Sequence, residues 1–174
     1  ARARTRAPEP APADAPAERF SAQRAFPRLE ALLAEEAPHP TGSEANAALR
    51  ERLLEALREA GYRPEVQTAR VQSWRGSVEV SNVLARLPGT GDGRGVLLAS
   101  HYDSTASGPG ASDDGVGVAT LLDAATAPVA TLGLLKADVV DRGATHIEGA
   151  PNKAKYETRV VVVQVAIRVF ETTG

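Results

Sequence analysis

Apolar residues recur along the chain in several distinct rhythms, and each implies a different element. From Ser21, "SAQRAFPRLEALLAEEA" puts Leu29, Leu32 and Leu33 on one helical face. Pro27 would break a helix interior, so the regular part is predicted to begin with Pro27 in its first turn. A second helix follows "TGSE", where Thr41 stands three residues before Glu44 as a capping box. Leu49, Leu53, Leu54 and Leu57 form its apolar stripe, and Gly61 closes it. "RPEVQTARVQ" and "SVEVSNVLARLPG" alternate apolar and polar positions, as two half-buried strands do, and "TGDGRG" after them is a turn. The run "GVLLAS", residues 95–100, is continuously apolar and predicts a central strand covered on both faces. "DDGVGVATLLDAA" then starts a third helix, and "RVVVVQVAIRVF" is a late β-prone segment. Without a neighbour on a sheet, that valine run is an aggregation hazard.

Composition narrows the function classes. At 174 residues the chain suffices for one core. Residues 1–19, with four prolines amid alanine and charge, read as a disordered Pro/Ala-rich arm. Twenty basic and 22 acidic residues leave a net charge of -2, which gives no field for nucleic acid or an anionic membrane. No apolar run approaches the roughly 20 residues of a spanning helix, and no signal-peptide core follows the basic first residues. Methionine is absent, the initiator included, so Ala1 reads as a processed or trimmed start. With no cysteine, any metal must be held by histidine and carboxylate.

The chemistry concentrates in "SHYDSTASGPGASDDGVGVATLLDAA". His101 ends the apolar strand, and ligands of open α/β sheets bind beyond the carboxyl ends of strands. Asp103, two residues on, can share its side, which favours His101 on a metal with Asp103 behind it, fixing the ring tautomer. Asp113 and Asp114 lie at the start of the next helix, where a carboxylate can bridge two divalent cations or simply cap the helix. His39, flanked by prolines, reads as a loop residue, and so does His146 in "THIEG". Trp74 and Tyr62 are candidates for partial burial. Serine-hydrolase elbows, Walker sequences and dinucleotide-binding glycine patterns are missing.

These residues, together with "FSAQRAF", "APHPTGSEANAALRERLLEALREAGY" and "SNVLARLPG", resemble the co-catalytic zinc aminopeptidases of metallopeptidase family 28, over about residues 20–125. That family includes bacterial leucyl aminopeptidases and glutamate carboxypeptidase II. The resemblance implies an α/β fold, a mixed β-sheet flanked by helices and incomplete here at its C-terminal end. It makes His101 a ligand of one zinc, Asp113 the carboxylate bridging two, and Asp103 the catalytic-site aspartate that orients the histidine; Asp114 is a neighbour. It implies hydrolysis of a peptide or small amide next to a free chain end, and an extracytoplasmic location, secreted or membrane-tethered.

Such enzymes carry a Glu-Glu pair after the next strand, one glutamate being the general base and the other a ligand. None occurs after residue 36, and the pair Glu35–Glu36 lies upstream, in the first helix. His146, Glu148, Glu157, Glu171, Asp138 and Asp141 are replacement ligands without supporting spacing. The expected organisation is therefore an arm over 1–19, the amino-terminal part of a zinc-peptidase domain over 20–128, and a divergent or non-native tail over 129–174. For that tail, a truncated or frame-altered copy is favoured over a divergent member that completes its core with the valine strand. On this reading the chain is weakly active or inactive as it stands; the alternative is a non-catalytic binding module that keeps the peptidase-like sheet.

Overall fold

The computed structural model describes residues 9–17, 19–73, 76–88, 95–126 and 158–163. The first helix, α1 (Ala22–Leu33), starts earlier than the proline suggests and holds Pro27 in its interior. Ser21 is the reason. Its Oγ accepts from the Arg24 amide at 3.2 Å and donates to the Ala11 carbonyl at 2.8 Å, while its own amide donates to Asp123 Oδ2 at 3.1 Å. An N-cap fixed by such distant partners starts the helix upstream and offsets the bond that Pro27 cannot make. The same contacts bind part of the Pro/Ala arm: Ala11 is buried, and the Ala15 and Arg19 carbonyls accept from the Arg24 guanidinium.

The second helix, α2 (Glu44–Glu59), is capped by Ser43, whose Oγ accepts from the Asn46 amide at 3.1 Å. The expected Thr41–Glu44 box is not formed, because the Thr41 hydroxyl is spent on Asp103, far along the chain. The helix ends as predicted at Gly61, φ +86°, with the Gly61 and Tyr62 amides donating back to Arg58 and Leu57 in a Schellman arrangement. Its leucine stripe is buried: Leu49, Leu53, Leu54 and Leu57 join Leu32, Val83, Tyr102 and Leu122 in one core. Tyr62 is more deeply placed than expected, and its hydroxyl donates to the Ala125 carbonyl at 2.9 Å.

The strands are β1 (Glu65–Ser73), β2 (Gly76–Pro88), β3 (Gly95–Ser100) and β4 (Thr158–Val163), in the spatial order β1-β2-β4-β3. β1 and β2 form the antiparallel pair from Glu65 opposite Leu84 to Ser73 opposite Gly76. β4 runs antiparallel to β2 and parallel to β3, so the sheet is mixed. Two expectations change here. β1 is not half-buried: residues 65–70 are exposed, as befits an outer strand of the described sheet. β3 is not covered on both faces either. It is the last strand of the described order, and Ala99 is exposed while Ser100 is buried. The valine-rich segment, by contrast, has a hydrogen-bonded neighbour on each side over residues 158–163.

The third helix, α3 (Val116–Ala125), packs against β3 and α1, while α2 packs on β2. A single wide turn, Ala111–Gly115, leads into α3. Trp74, His146 and the other tail residues offered as replacement ligands lie outside the described residues.

Candidate functional site

The site is built where β3 ends. Tyr102 is buried, and its hydroxyl donates to the Ser81 carbonyl of β2 at 2.8 Å. This anchor leaves its neighbours His101 and Asp103 on partly exposed ground. His101 Nδ1 lies 3.1 Å from the Asp103 backbone oxygen and 3.3 Å from Asp103 Oδ1. The ring's other nitrogen, Nε2, is 3.0 Å from Asp113 Oδ1. The histidine thus stands between the two carboxylates and touches each of them.

Asp113 reaches the site from the turn before α3, where the Asp113–Asp114 peptide bond is cis. Its side chain is 87% exposed. Asp114 turns away: its carboxylate accepts a hydrogen bond from the Ser100 hydroxyl. Neither aspartate caps α3, since the N-cap is Gly115, without a side-chain hydrogen bond. Gly110 allows the approach. Its φ is +64°, and a β-carbon there would come within 2.8 Å of Ser104 Cβ.

A second loop clasps the first. The His39 amide donates to Ser104 Oγ at 2.7 Å, and the Ser104 amide donates to the His39 carbonyl at 3.2 Å. Asn46 Nδ2 donates to that same carbonyl at 3.3 Å. His39 is therefore the loop residue expected, and a buried one. Thr41 Oγ1 donates to Asp103 Oδ2 at 2.8 Å. Thr41, Ser104 and Ser100 were not singled out from the sequence as site residues. The only signal Thr41 carried was the TGSE cap pattern, which pointed elsewhere.

Electrostatics favour a charged ring. Burial pulls the His101 pKa down and is the largest single influence. The hydrogen bond to Asp113, the Asp103 carbonyl and the two carboxylate charges together outweigh it, so the net displacement is upward from 6.5. Among the described residues, no group of three or more histidine, aspartate or glutamate side chains is placed to hold a metal ion. Glu35 and Glu36 are exposed in the turn after α1, rather than inside the helix, and take no part.

Residues 82–140 match the profile of Peptidase family M28. That stretch is about a third of the chain, and over it the sequence is similar to the family's. A vacuolar membrane protease of Schizophyllum commune is 40% identical over 96 residues, which cover 49% of this chain and 11% of that protein. Among solved structures, a glutaminyl cyclase from Porphyromonas gingivalis superposes with a TM-score of 0.60 at 25% identity, over 83% of this chain and 45% of its own. A Zn-dependent exopeptidase from Parabacteroides distasonis gives a TM-score of 0.58 at 20% identity, which speaks to the fold alone, over 83% of this chain and 46% of its own. The chain thus spans about a tenth of the curated relative and under half of each solved neighbour.

Proposed function

We propose that this chain carries part of a zinc-dependent, aminopeptidase-like active centre acting on a peptide or small amide. His101 would ligate one zinc through Nε2, Asp113 would bridge two, and Asp103 would hold the imidazole from behind. The observation that supports this reading is the pairing of His101 Nε2 with Asp113 Oδ1 at 3.0 Å, beyond the carboxyl end of β3. The donor types suit the metal: an imidazole and a carboxylate are both usual zinc ligands. Zinc supplies Lewis acidity and an activated water for amide hydrolysis. The chain's own residues do the rest of what can be assigned. Both ring nitrogens face oxygens that accept only, Asp103's at Nδ1 and Asp113 Oδ1 at Nε2; with a cation in place of the Nε2 proton, Asp103 would hold the remaining proton on Nδ1 and leave the Nε2 lone pair for the metal. Asp113, open to solvent, is free to move onto a cation.

Zinc usually takes three or four protein donors, and the described residues bring two together, so we infer weak metal binding and low turnover for this chain as it stands. The same observation favours a second reading, a non-catalytic module that retains the peptidase-like sheet. The curated relatives are called vacuolar membrane proteases, which supports an extracytoplasmic placement. Among the described residues no helix is long and apolar enough to cross a membrane.

The deciding measurement is zinc per chain in purified, dialysed protein, for the parent and for a His101→Ala, Asp113→Ala double variant. Zinc near two equivalents, lost in the variant, would support the catalytic reading and mean that residues beyond the described ones supply the missing ligands; a fraction of an equivalent, lost in the variant, is the result expected of the weak site. Either result would then be followed by assays on an aminoacyl amide and, given the cyclase neighbour, a peptide with amino-terminal glutamine. Zinc no higher in the parent than in the variant overturns the zinc reading.

A further inference from the structure

The residue that most tightly ties the site to the rest of the fold is one whose sequence context reads as a helix cap. Thr41 is half-buried in the loop between α1 and α2, and its hydroxyl donates to Asp103 Oδ2 at 2.8 Å across 62 positions of chain. The other carboxylate oxygen, Oδ1, is buried, has no hydrogen-bond partner among the described residues, and lies 3.3 Å from His101 Nδ1. A carboxylate held by one oxygen has its second oxygen aimed. The loop that carries Thr41 cannot drift, because His39 is joined to Ser104 in both directions and to Asn46. Gly42, next in sequence, sits at φ +81° against β2, where a β-carbon would lie 2.9 Å from Val78 Cγ2.

We propose that Thr41 is a positioning residue: by holding Asp103 Oδ2 it directs Oδ1 at Nδ1 of His101, and so sets which ring nitrogen carries the proton and which faces Asp113. Its bearing on catalysis rests on the reading of His101 as a zinc ligand; the geometry itself does not. A free imidazole carries its proton mainly on Nε2. Here both ring nitrogens face acceptors, Nδ1 the Asp103 carbonyl at 3.1 Å and Oδ1 at 3.3 Å, and Nε2 the Asp113 Oδ1 at 3.0 Å, so the two tautomers compete and the Asp103 oxygens weight the balance towards Nδ1–H, the form that leaves Nε2 able to accept a cation. Without the Thr41 hydroxyl the carboxylate is free to rotate towards water, and one of the two acceptors at Nδ1 is lost.

The test compares the parent with Thr41→Val, which keeps the shape and removes the hydroxyl, and Thr41→Ser, which keeps the hydroxyl. The readout is the pair of ring ¹⁵N shifts of His101 in metal-free protein, at a pH where the ring is neutral, with amide spectra confirming the fold. If the valine variant does not fold, Thr41→Ala supplies the same comparison. The parent is expected to hold a larger Nδ1–H fraction than an exposed histidine does. Thr41→Val should raise the ratio of Nε2–H to Nδ1–H roughly two- to tenfold, the worth of one hydrogen bond, and serine should restore it. An unchanged ratio in the valine variant, or a serine variant that behaves like valine, overturns the proposal. Zinc titration of the same samples separates the two ideas. A tautomer shift in a parent that takes no zinc supports the positioning role and removes the zinc reading, whereas zinc binding without a tautomer shift does the reverse.

Discussion

Asp123→Ala is the most informative single perturbation of the fold, because one carboxylate joins the end of α3 to the start of α1, about a hundred residues away. Its side chain is fully buried at the end of α3. Arg24 Nε donates to Oδ1 at 2.6 Å and Arg24 Nη2 to Oδ2 at 3.0 Å, while the Ser21 amide donates to Oδ2 at 3.1 Å. Arg28 Nε stands 4.0 Å from Oδ1. Removing one partner of a buried ion pair costs about 3–5 kcal/mol, chiefly because the other charge is stranded. Arg24 keeps 20% exposure and its bonds to the Ala15 and Arg19 carbonyls, which places the loss at the lower end, about 3 kcal/mol. At roughly 2–4 °C per kcal/mol for a chain of this size, Tm should fall by about 6–12 °C. Urea unfolding followed by far-ultraviolet circular dichroism measures the free energy. Arg24→Met, alone and combined with Asp123→Ala, isolates the pair, whose coupling should reach about 1 kcal/mol or more. A loss for Asp123→Ala below about 1 kcal/mol, or strict additivity in the cycle, would refute the reasoning.

Gly42→Ala should destabilise by about 1–2 kcal/mol, since it forces a side chain into a left-handed conformation at φ +81° and against Val78; an unchanged urea midpoint would contradict this. In metal-free protein His101 should titrate above 6.5, and Asp113→Asn should lower the value; a ring that titrates at or below 6.5 by NMR would contradict the geometry. The sign for stability follows. A raised folded pKa means the folded state binds the proton more tightly, so this contribution is complete below the unfolded value near 6.5 and is lost as pH rises through the folded one. The Tm of the metal-free parent should therefore decline across that window, and less so for Asp113→Asn.

What the sequence by itself determined lies at short range. The leucine spacing of α2, the closing glycine at 61 and the existence of the β1 and β2 strands are written in neighbours a few residues apart, and each is found as read; His101, Asp103 and Asp113, read from one strand–loop–helix block, lie close together. Helical and strand periods are local, and a turn glycine answers to local backbone sterics. What only the tertiary structure decided depends on partners far away in the chain. Pro27 is carried inside α1 because Asp123, about a hundred residues on, holds the Ser21 cap. Thr41 leaves its expected cap for Asp103, and Ser43 takes the role. β4 enters between β2 and β3, which leaves β3 last in the described sheet, although its apolar run alone reads as a central strand. A hydroxyl or carboxylate has several acceptable partners, and hydrogen-bond chemistry cannot rank them until the fold sets the distances. An apolar strand likewise pairs with whichever edge the topology offers. The candidate pair was legible because it lies within one strand–loop–helix unit; the residues that hold it in register were not, because they arrive from elsewhere.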